Sequence, residues 1–316
     1  MALGRRRSPG RELEEEEDQE TIAWSRGKSG LYARPTRPLA NQDNTQVDAY
    51  RLIKRKATTA PTSSRYSRDM ELFPDGAHVR LRSRVHGFYL YAEEDEVEAT
   101  WSPDWGSLNA AWAVHRVVRP GGTFFLLRSA AYGRYLRVTS RSGDPSDDFT
   151  VAQRSYTTLR KRGFMWEASD SEDGTGDVVL RNRKYGQLMG SWVVEDIPPR
   201  EDPPELPEVA PTPWPPVHLR RIWYMRAADQ AELNALVWSR LWFIGRSVSD
   251  LRDELAAALG EADSQNITLC VQAGYRARLT PLVIDLPDNE RTMEIVVLTT
   301  GSEAAQALVY PDVDAE

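Results

Sequence analysis

The side chains with which this chain of 316 residues could do chemistry are few: four histidines, one cysteine, and carboxylates and arginines in recurring positions. His78, His86, His115 and His218 show no HxH, HxxxH or HExxH spacing, so the sequence gives no support for a histidine metal site. Cys270 stands alone, which excludes an intramolecular disulfide and a thiolate cluster and fits a reducing compartment. Acid pairs such as Asp144 with Asp147, or Glu96 with Glu98, fall in polar stretches, whereas general acid-base work needs apolar surroundings that raise a carboxyl pKa. There is no GxSxG elbow, P-loop or dinucleotide fingerprint, and Gly121-Gly122 opens a strand-like run without the helix dipole a phosphate uses. These residues predict neither enzyme, cofactor nor metal site, and a protein that acts by binding.

Binding candidates come from repetition. Arg82, Arg128 and Arg181 occupy the same place in three related segments, and with Arg183 and Lys184 they offer a basic anion-binding surface. Period-two alternation gives the competing reading, in which arginines such as Arg80, Arg82 and Arg84 simply line a solvated strand face. The acidic stretch from Glu93 to Glu98 argues against a uniformly positive surface. Trp101 and Trp105, in Trp-Ser-Pro-Asp-Trp, offer either an amphipathic contact surface or packing over a core.

The elements that position these residues are hairpins. Leu81-Arg82-Ser83 leads to Gly87-Phe88-Tyr89-Leu90, Leu127-Arg128-Ser129 to Gly133-Arg134-Tyr135-Leu136, and Leu180-Arg181-Asn182 to Gly186-Gln187-Leu188-Met189. Each copy is a strand, a short turn, a glycine and a second apolar strand, and each is followed by a strand bearing Trp112, Trp166 or Trp192. Three such units predict a β-trefoil. The third is truncated: its tryptophan follows the turn glycine by 6 positions, against 25 and 33 in the first two. A barrel lacking that strand pair is expected to have an open edge and an exposed interior. None of the three tryptophans has Gln two positions before it, so the Gln-x-Trp form of sugar binding is unsupported.

Residues 1–69 mix Arg5-Arg6-Arg7, the acidic run from Glu14 to Asp18 and scattered polar residues, a composition that predicts disorder. Met70, directly before the first patterned residues, reads either as a translation start or as the end of an ordinary tail. Nine prolines from Pro198 to Pro216 predict a semi-rigid linker over residues 201–216. Beyond it, residues 217–316 carry 9 basic and 15 acidic side chains and read as strands Leu219 to Met225 and Leu241 to Ile244, a helix Val248 to Leu259, and strands Ile267 to Val271, Leu279 to Ile284 and Met293 to Leu298. Ser247 and Gly260 supply the helix start and stop, and the order ββαβββ suits a β-grasp roll. No segment has the positive excess that nucleic-acid binding needs, and no run is long and apolar enough for a membrane span. The chain is expected in the cytoplasm, with the nucleus as the other option.

The segments Met70-Glu71-Leu72-Phe73, Val79-Arg80-Leu81-Arg82-Ser83, Gly87-Phe88-Tyr89-Leu90, Ser107-Leu108-Asn109-Ala110-Ala111-Trp112 and Trp192-Val193-Val194-Glu195 resemble a plant family of unknown function with a fascin-like, actin-cross-linking-like trefoil. Gly245-Arg246-Ser247, Leu279-Thr280-Pro281-Leu282-Val283 and Tyr310-Pro311-Asp312-Val313-Asp314 are similar to the ubiquitin-like domain that accompanies it. The resemblance implies a multidomain chain: an all-β fascin-like trefoil over residues 70–200, then an α+β ubiquitin-like domain over 217–316. It implies a protein partner, with actin the first candidate; an adaptor working through the ubiquitin-like domain, without actin, is the alternative. The sequence ends in Asp314-Ala315-Glu316 without Gly-Gly, so conjugation to other proteins is not expected.

Overall fold

The structure, a computed structural model, describes residues 70–140, 149–157, 162–171, 174–186, 188–208, 218–227 and 238–315. The expected leader 1–69 and the Asp144/Asp147 pair lie outside these residues. No helix among the described residues is long and apolar enough to cross a membrane.

The N-terminal domain has ten strands: β1 (His78–Ser83), β2 (Tyr89–Ala92), β3 (Ala99–Ser102), β4 (Trp112–Arg119), β5 (Gly122–Ser129), β6 (Tyr135–Ser140), β7 (Phe149–Arg154), β8 (Trp166–Asp170), β9 (Val178–Asn182) and β10 (Leu188–Ile197). The pairs β1–β4, β4–β5, β5–β8, β8–β9, β9–β10 and β10–β1 close a six-stranded ring, while β2–β3 and β6–β7 are hairpins outside it. This is the trefoil plan without its third hairpin. The expectation of an open edge is therefore corrected: β10 runs antiparallel to β1 through six pairs, from His78 with Ile197 to Ser83 with Trp192.

The closure works because the third unit makes the same local bonds over a shorter path. The Trp112 and Trp166 indoles donate to the carbonyls of Leu90 (3.0 Å) and Leu136 (3.4 Å), 22 and 30 residues away. Trp192 donates to the equivalent carbonyl, that of Met189, only 3 residues away. A register shift between Met189 and Ser191, with Gly190 at φ +54°, lets one strand do the work of two. Trp101 stacks on Trp192 at 4.8 Å and helps bury it. Backbone bonds repeat with the same threefold logic: Ala130 to Ala111 (3.0 Å), Arg183 to Met165 (2.9 Å), and Arg84 to Ser191 (3.1 Å). Val79, Phe125 and Val178, then Leu81, Leu127 and Leu180, then the three tryptophans, fill the barrel in layers.

The C-terminal domain has β11 (Leu219–Arg226), β12 (Ser239–Ile244), helix α1 (Val248–Leu259), β13 (Ile267–Val271), β14 (Thr280–Pro281), β15 (Met293–Thr299) and the short helix α2 (Glu303–Gln306). The sheet order is β12-β11-β15-β13-β14, with β11 and β15 parallel, which is a β-grasp. The helix begins where Ser247 Oγ accepts the Asp250 N–H (3.0 Å) and ends at Gly260, φ +75°. Val248, Leu251 and Leu255 pack on Ile222, Phe243, Leu269 and Ile295 from one face of the sheet. The penultimate strand is shorter than the sequence suggests, two residues instead of six.

The described part of the proline-rich stretch packs on the C-terminal domain. Leu206 packs against the C-terminal core, Arg200 N–H bonds to the Tyr310 carbonyl (2.8 Å), and Asp312 N–H to that of Pro198 (2.8 Å). The second half of the expected linker, from residue 209, lies outside the described residues.

Candidate binding surfaces

The three equivalent barrel turns differ in what they present. The first reads Arg84-Val85-His86-Gly87 and the third Arg183-Lys184-Tyr185-Gly186, but the second is Ala130-Ala131-Tyr132-Gly133, which carries no charge. That second turn is buried, and it docks the C-terminal domain. A Cβ on Gly133 (φ +70°) would lie 3.0 Å from Thr280 Oγ1, and one on Gly274 (φ +100°) 2.7 Å from the Tyr156 carbonyl oxygen, so only glycine lets the two domains approach.

Polar groups at this joint are satisfied across it. Arg128 is buried and donates to the Leu279 carbonyl, which places it inside the joint and away from any anion-binding surface. The Tyr135 hydroxyl accepts the Arg278 N–H (3.2 Å) and lies 3.1 Å from His115 Nδ1. Burial, then the Arg278 and Arg128 charges, pull the His115 pKa down to about 4, so the imidazole is neutral and shares one hydrogen bond with the hydroxyl. His78 is held at about 4 in the same way, by burial and then by Arg128. Asp75 forms a two-pronged pair with Arg278 (2.8 and 2.9 Å). Glu96, expected in a solvated loop, is buried instead: it pairs with Arg134 (2.9 Å) and accepts from Asn289 Nδ2 (3.2 Å). Cys270 is buried on this side of the sheet, and burial pushes its thiol pKa up to about 12, leaving it unreactive.

The other sequence-predicted residues do not converge. Arg82, Arg128 and Arg181 sit on β1, β5 and β9, alternate strands of the closed ring, so threefold symmetry spreads them around the barrel. Arg82 pairs with Glu195 (2.7 Å), Arg183 lies over the Phe124 ring (4.0 Å) and Lys184 Nζ reaches the Tyr185 hydroxyl (2.5 Å). Trp101 packs on Trp192, as above. Trp105 is partly exposed, with Arg80 over its ring (4.8 Å); Arg80 itself is buried against the Val313 carbonyl and is not on a solvated face.

The unforeseen surface is on the C-terminal sheet, on the face away from α1. Near β13 and β15 that face is covered: Cys270, Val296, Leu298 and Met225 are buried beneath Ala304, Ala305 and Leu308. Among the described residues this cover stops short of β12 and of the first half of β11. Leu219, Trp242 and Ile244 are 45 %, 59 % and 64 % exposed, and Leu219 is paired with Ile244 across the hairpin. Arg221, opposite Trp242, holds its guanidinium 4.9 Å from that ring, and Arg240 stands beside it, opposite Trp223. The signal was in the sequence: Leu241-Trp242-Phe243-Ile244 is apolar in both strand registers, the mark of a strand that expects cover on both faces.

An open cleft of about 710 Å³, lined by Pro199, Arg200, Glu205 and Asp312 among others, follows the segment after the barrel; its walls are mostly polar and it brings together none of the predicted site residues.

Comparison with known proteins agrees with this architecture. A comparison with curated protein sequences finds no match to the chain. Among solved structures the chain is similar to a GlcNAcα1-4Gal-releasing endo-β-galactosidase from Clostridium perfringens (17 % identity, 39 % of this chain and 33 % of that one, TM-score 0.29), so it spans about a third of that enzyme's length. It is also similar to the SDF2-like protein from Arabidopsis thaliana (15 %, 39 % and 86 %, TM-score 0.28) and to the BEL β-trefoil (15 %, 39 % and 95 %, TM-score 0.31). At such TM-scores these similarities carry no argument about ligands. Residues 70–143 match the β-trefoil domain of unknown function DUF569, and residues 218–298 the DUF569-associated ubiquitin-like domain. The chain therefore carries a match to the DUF569 β-trefoil followed by a match to its associated ubiquitin-like domain, domains of unknown function in that order.

Proposed function

We propose that this chain is a non-enzymatic binding protein, an adaptor whose ubiquitin-like domain recruits a second protein while the trefoil braces it. The observation that carries the reading is the open half of the sheet, where Leu219, Trp242 and Ile244 stand in solvent beside two arginines. Aromatic and arginine side chains at the centre of an exposed patch are the usual anchors of protein recognition. The trefoil contributes rigidity: its second turn and the joint around Arg128 and Tyr135 fix the sheet in place.

The test is affinity capture with the full chain, compared with Trp242→Asp and with Val85→Asp on the free first turn as a surface control. The reading expects partners retained by wild type and Val85→Asp but lost by Trp242→Asp, and direct binding once the partner is purified. Partners indifferent to Trp242 would overturn it. Actin, the partner implied by the fascin-like resemblance, is tested in parallel by co-sedimentation; pelleting unaffected by Trp242→Asp would move the binding function to the trefoil.

A further inference from the structure

The outer strand of this sheet has a second property that names the kind of partner. β12 is the end strand in the order β12-β11-β15-β13-β14. Gly245 N–H bonds to the His218 carbonyl (2.8 Å), so position 245 is in a hydrogen-bonded pair with 218. Such pairs alternate along an antiparallel ladder, so the N–H and C=O groups of Phe243 and Leu241 also point to β11. Those of Arg240, Trp242 and Ile244 point the other way, to the free edge, where among the described residues no strand receives them. These are the same three residues whose side chains stand on the uncovered face. Unpaired backbone groups, an aromatic ring, an aliphatic side chain and a cation therefore recur along one line, at every second residue.

An edge protected against pairing carries several charges, a proline or a bulge. β12 has one outward charge and two large apolar residues, and its six-residue register with β11 is unbroken. The face is also basic within an acidic domain. Arg226 pairs with Glu261 and Arg246 with Glu94, whereas Arg221 and Arg240 have no carboxylate partner among the described residues. Among the described residues the acid on this face is Glu294, opposite Trp223 and one strand further in.

We propose that β12 receives an extended, acidic segment of a partner protein by strand addition. The segment pairs its backbone with Arg240, Trp242 and Ile244, sets a carboxylate against Arg240 and Arg221, and lays apolar side chains at alternate positions on Trp242 and Ile244. Backbone pairing supplies affinity, and the acid–apolar–apolar alternation supplies specificity. This rests on the adaptor reading above and sharpens it to one chemistry of partner.

The experiment is fluorescence anisotropy of the full chain with a labelled synthetic peptide whose one face alternates aspartate, valine and leucine. Saturable binding is expected, weakened about tenfold by Arg240→Glu and again by Trp242→Ala, each the loss of one charged or aromatic anchor. Replacing the peptide's aspartate with lysine should abolish binding, and N-methylating its alternate backbone nitrogens on the pairing side should do the same while leaving its side chains intact. Circular dichroism of each variant confirms folding. Binding indifferent to N-methylation, or equal for the lysine peptide, overturns strand addition by an acidic segment. So does concentration-dependent self-association abolished by Arg240→Glu, which would make a second copy the occupant. If the peptide fails while captured partners still depend on Trp242, this inference falls and the adaptor reading stands; if both fail, both fall.

Discussion

The two halves of the ubiquitin-like domain's outer face present the same problem and resolve it differently. Over β13 and β15, apolar residues such as Cys270, Val296 and Leu298 are buried with Ala304, Ala305 and Leu308 packed against them, next to a joint with the trefoil held by Arg128, Tyr135 and two glycines. Over β11 and β12, residues as apolar as Trp242 and Ile244 are left in water. Burying a large apolar side chain is worth about 1.5–3 kcal/mol, so each exposed one forgoes a stabilisation that the covered half obtains. The contrast separates a half whose apolar side chains are already spent on packing from a half whose apolar side chains are not, and the second is where the proposed partner would bind.

Changes to the covered half should therefore cost stability, and changes to the open half should not. The largest effect of a single substitution is expected from Gly274→Ala. The new Cβ meets the Tyr156 backbone at a positive φ, and urea denaturation should show a loss of about 3 kcal/mol or more. Gly174→Ala is the control: it has a similar φ of +75° but open space around it, and should cost only about 1 kcal/mol.

Acid should attack the same half. His78 and His115 have folded pKa values of about 4, below the ordinary 6.5, so the unfolded chain binds more protons between these values. Stability is then full above about pH 6.5 and falls as pH drops toward 4, by on the order of 3 kcal/mol for each imidazole. Urea titrations at pH 7 and pH 4.5 measure the fall, and His115→Gln should remove roughly half of it.

Asp75→Asn should have a smaller effect. Its pair with Arg278 is two-pronged but largely solvent-exposed, so about 1 kcal/mol is expected, shrinking as salt rises. Smallest of all should be Trp242→Ala, within about 0.5 kcal/mol of wild type by the same denaturation assay, because the side chain is 59 % exposed and the cation over its ring, Arg221, is itself a surface group. A large destabilisation there would show that the ring belongs to the core, and the contrast between the halves would collapse.

How much of this was legible in the sequence depends on whether local or long-range contacts decide it. The helix from Val248 to Leu259 was readable to the residue, because its cap, its apolar spacing and its terminal glycine are all local. So was the threefold hairpin phrase. Closure of the third repeat was not: Met189-Gly190-Ser191-Trp192 looks like a deletion, and only the register shift at Gly190 shows that Trp192 still reaches its carbonyl. The arginines misled for the same reason, since period two fixes which face a side chain takes but not what lies against that face. Arg80 and Arg128 point outward from the barrel, into another domain. The small turn Ala130-Ala131 was a visible sign of that docking, and the two-register apolar run of β12 a visible sign of the open face.

Residue-resolved amide exchange by NMR, on the full chain free and saturated with the acidic alternating peptide, decides whether β12 accepts an added strand. The account predicts exchange slowed at least about tenfold at Arg240, Trp242 and Ile244, whose N–H groups face the free edge, with Leu241 and Phe243 unchanged because β11 already holds them. No change at those three amides, or equal slowing at all five, would contradict it.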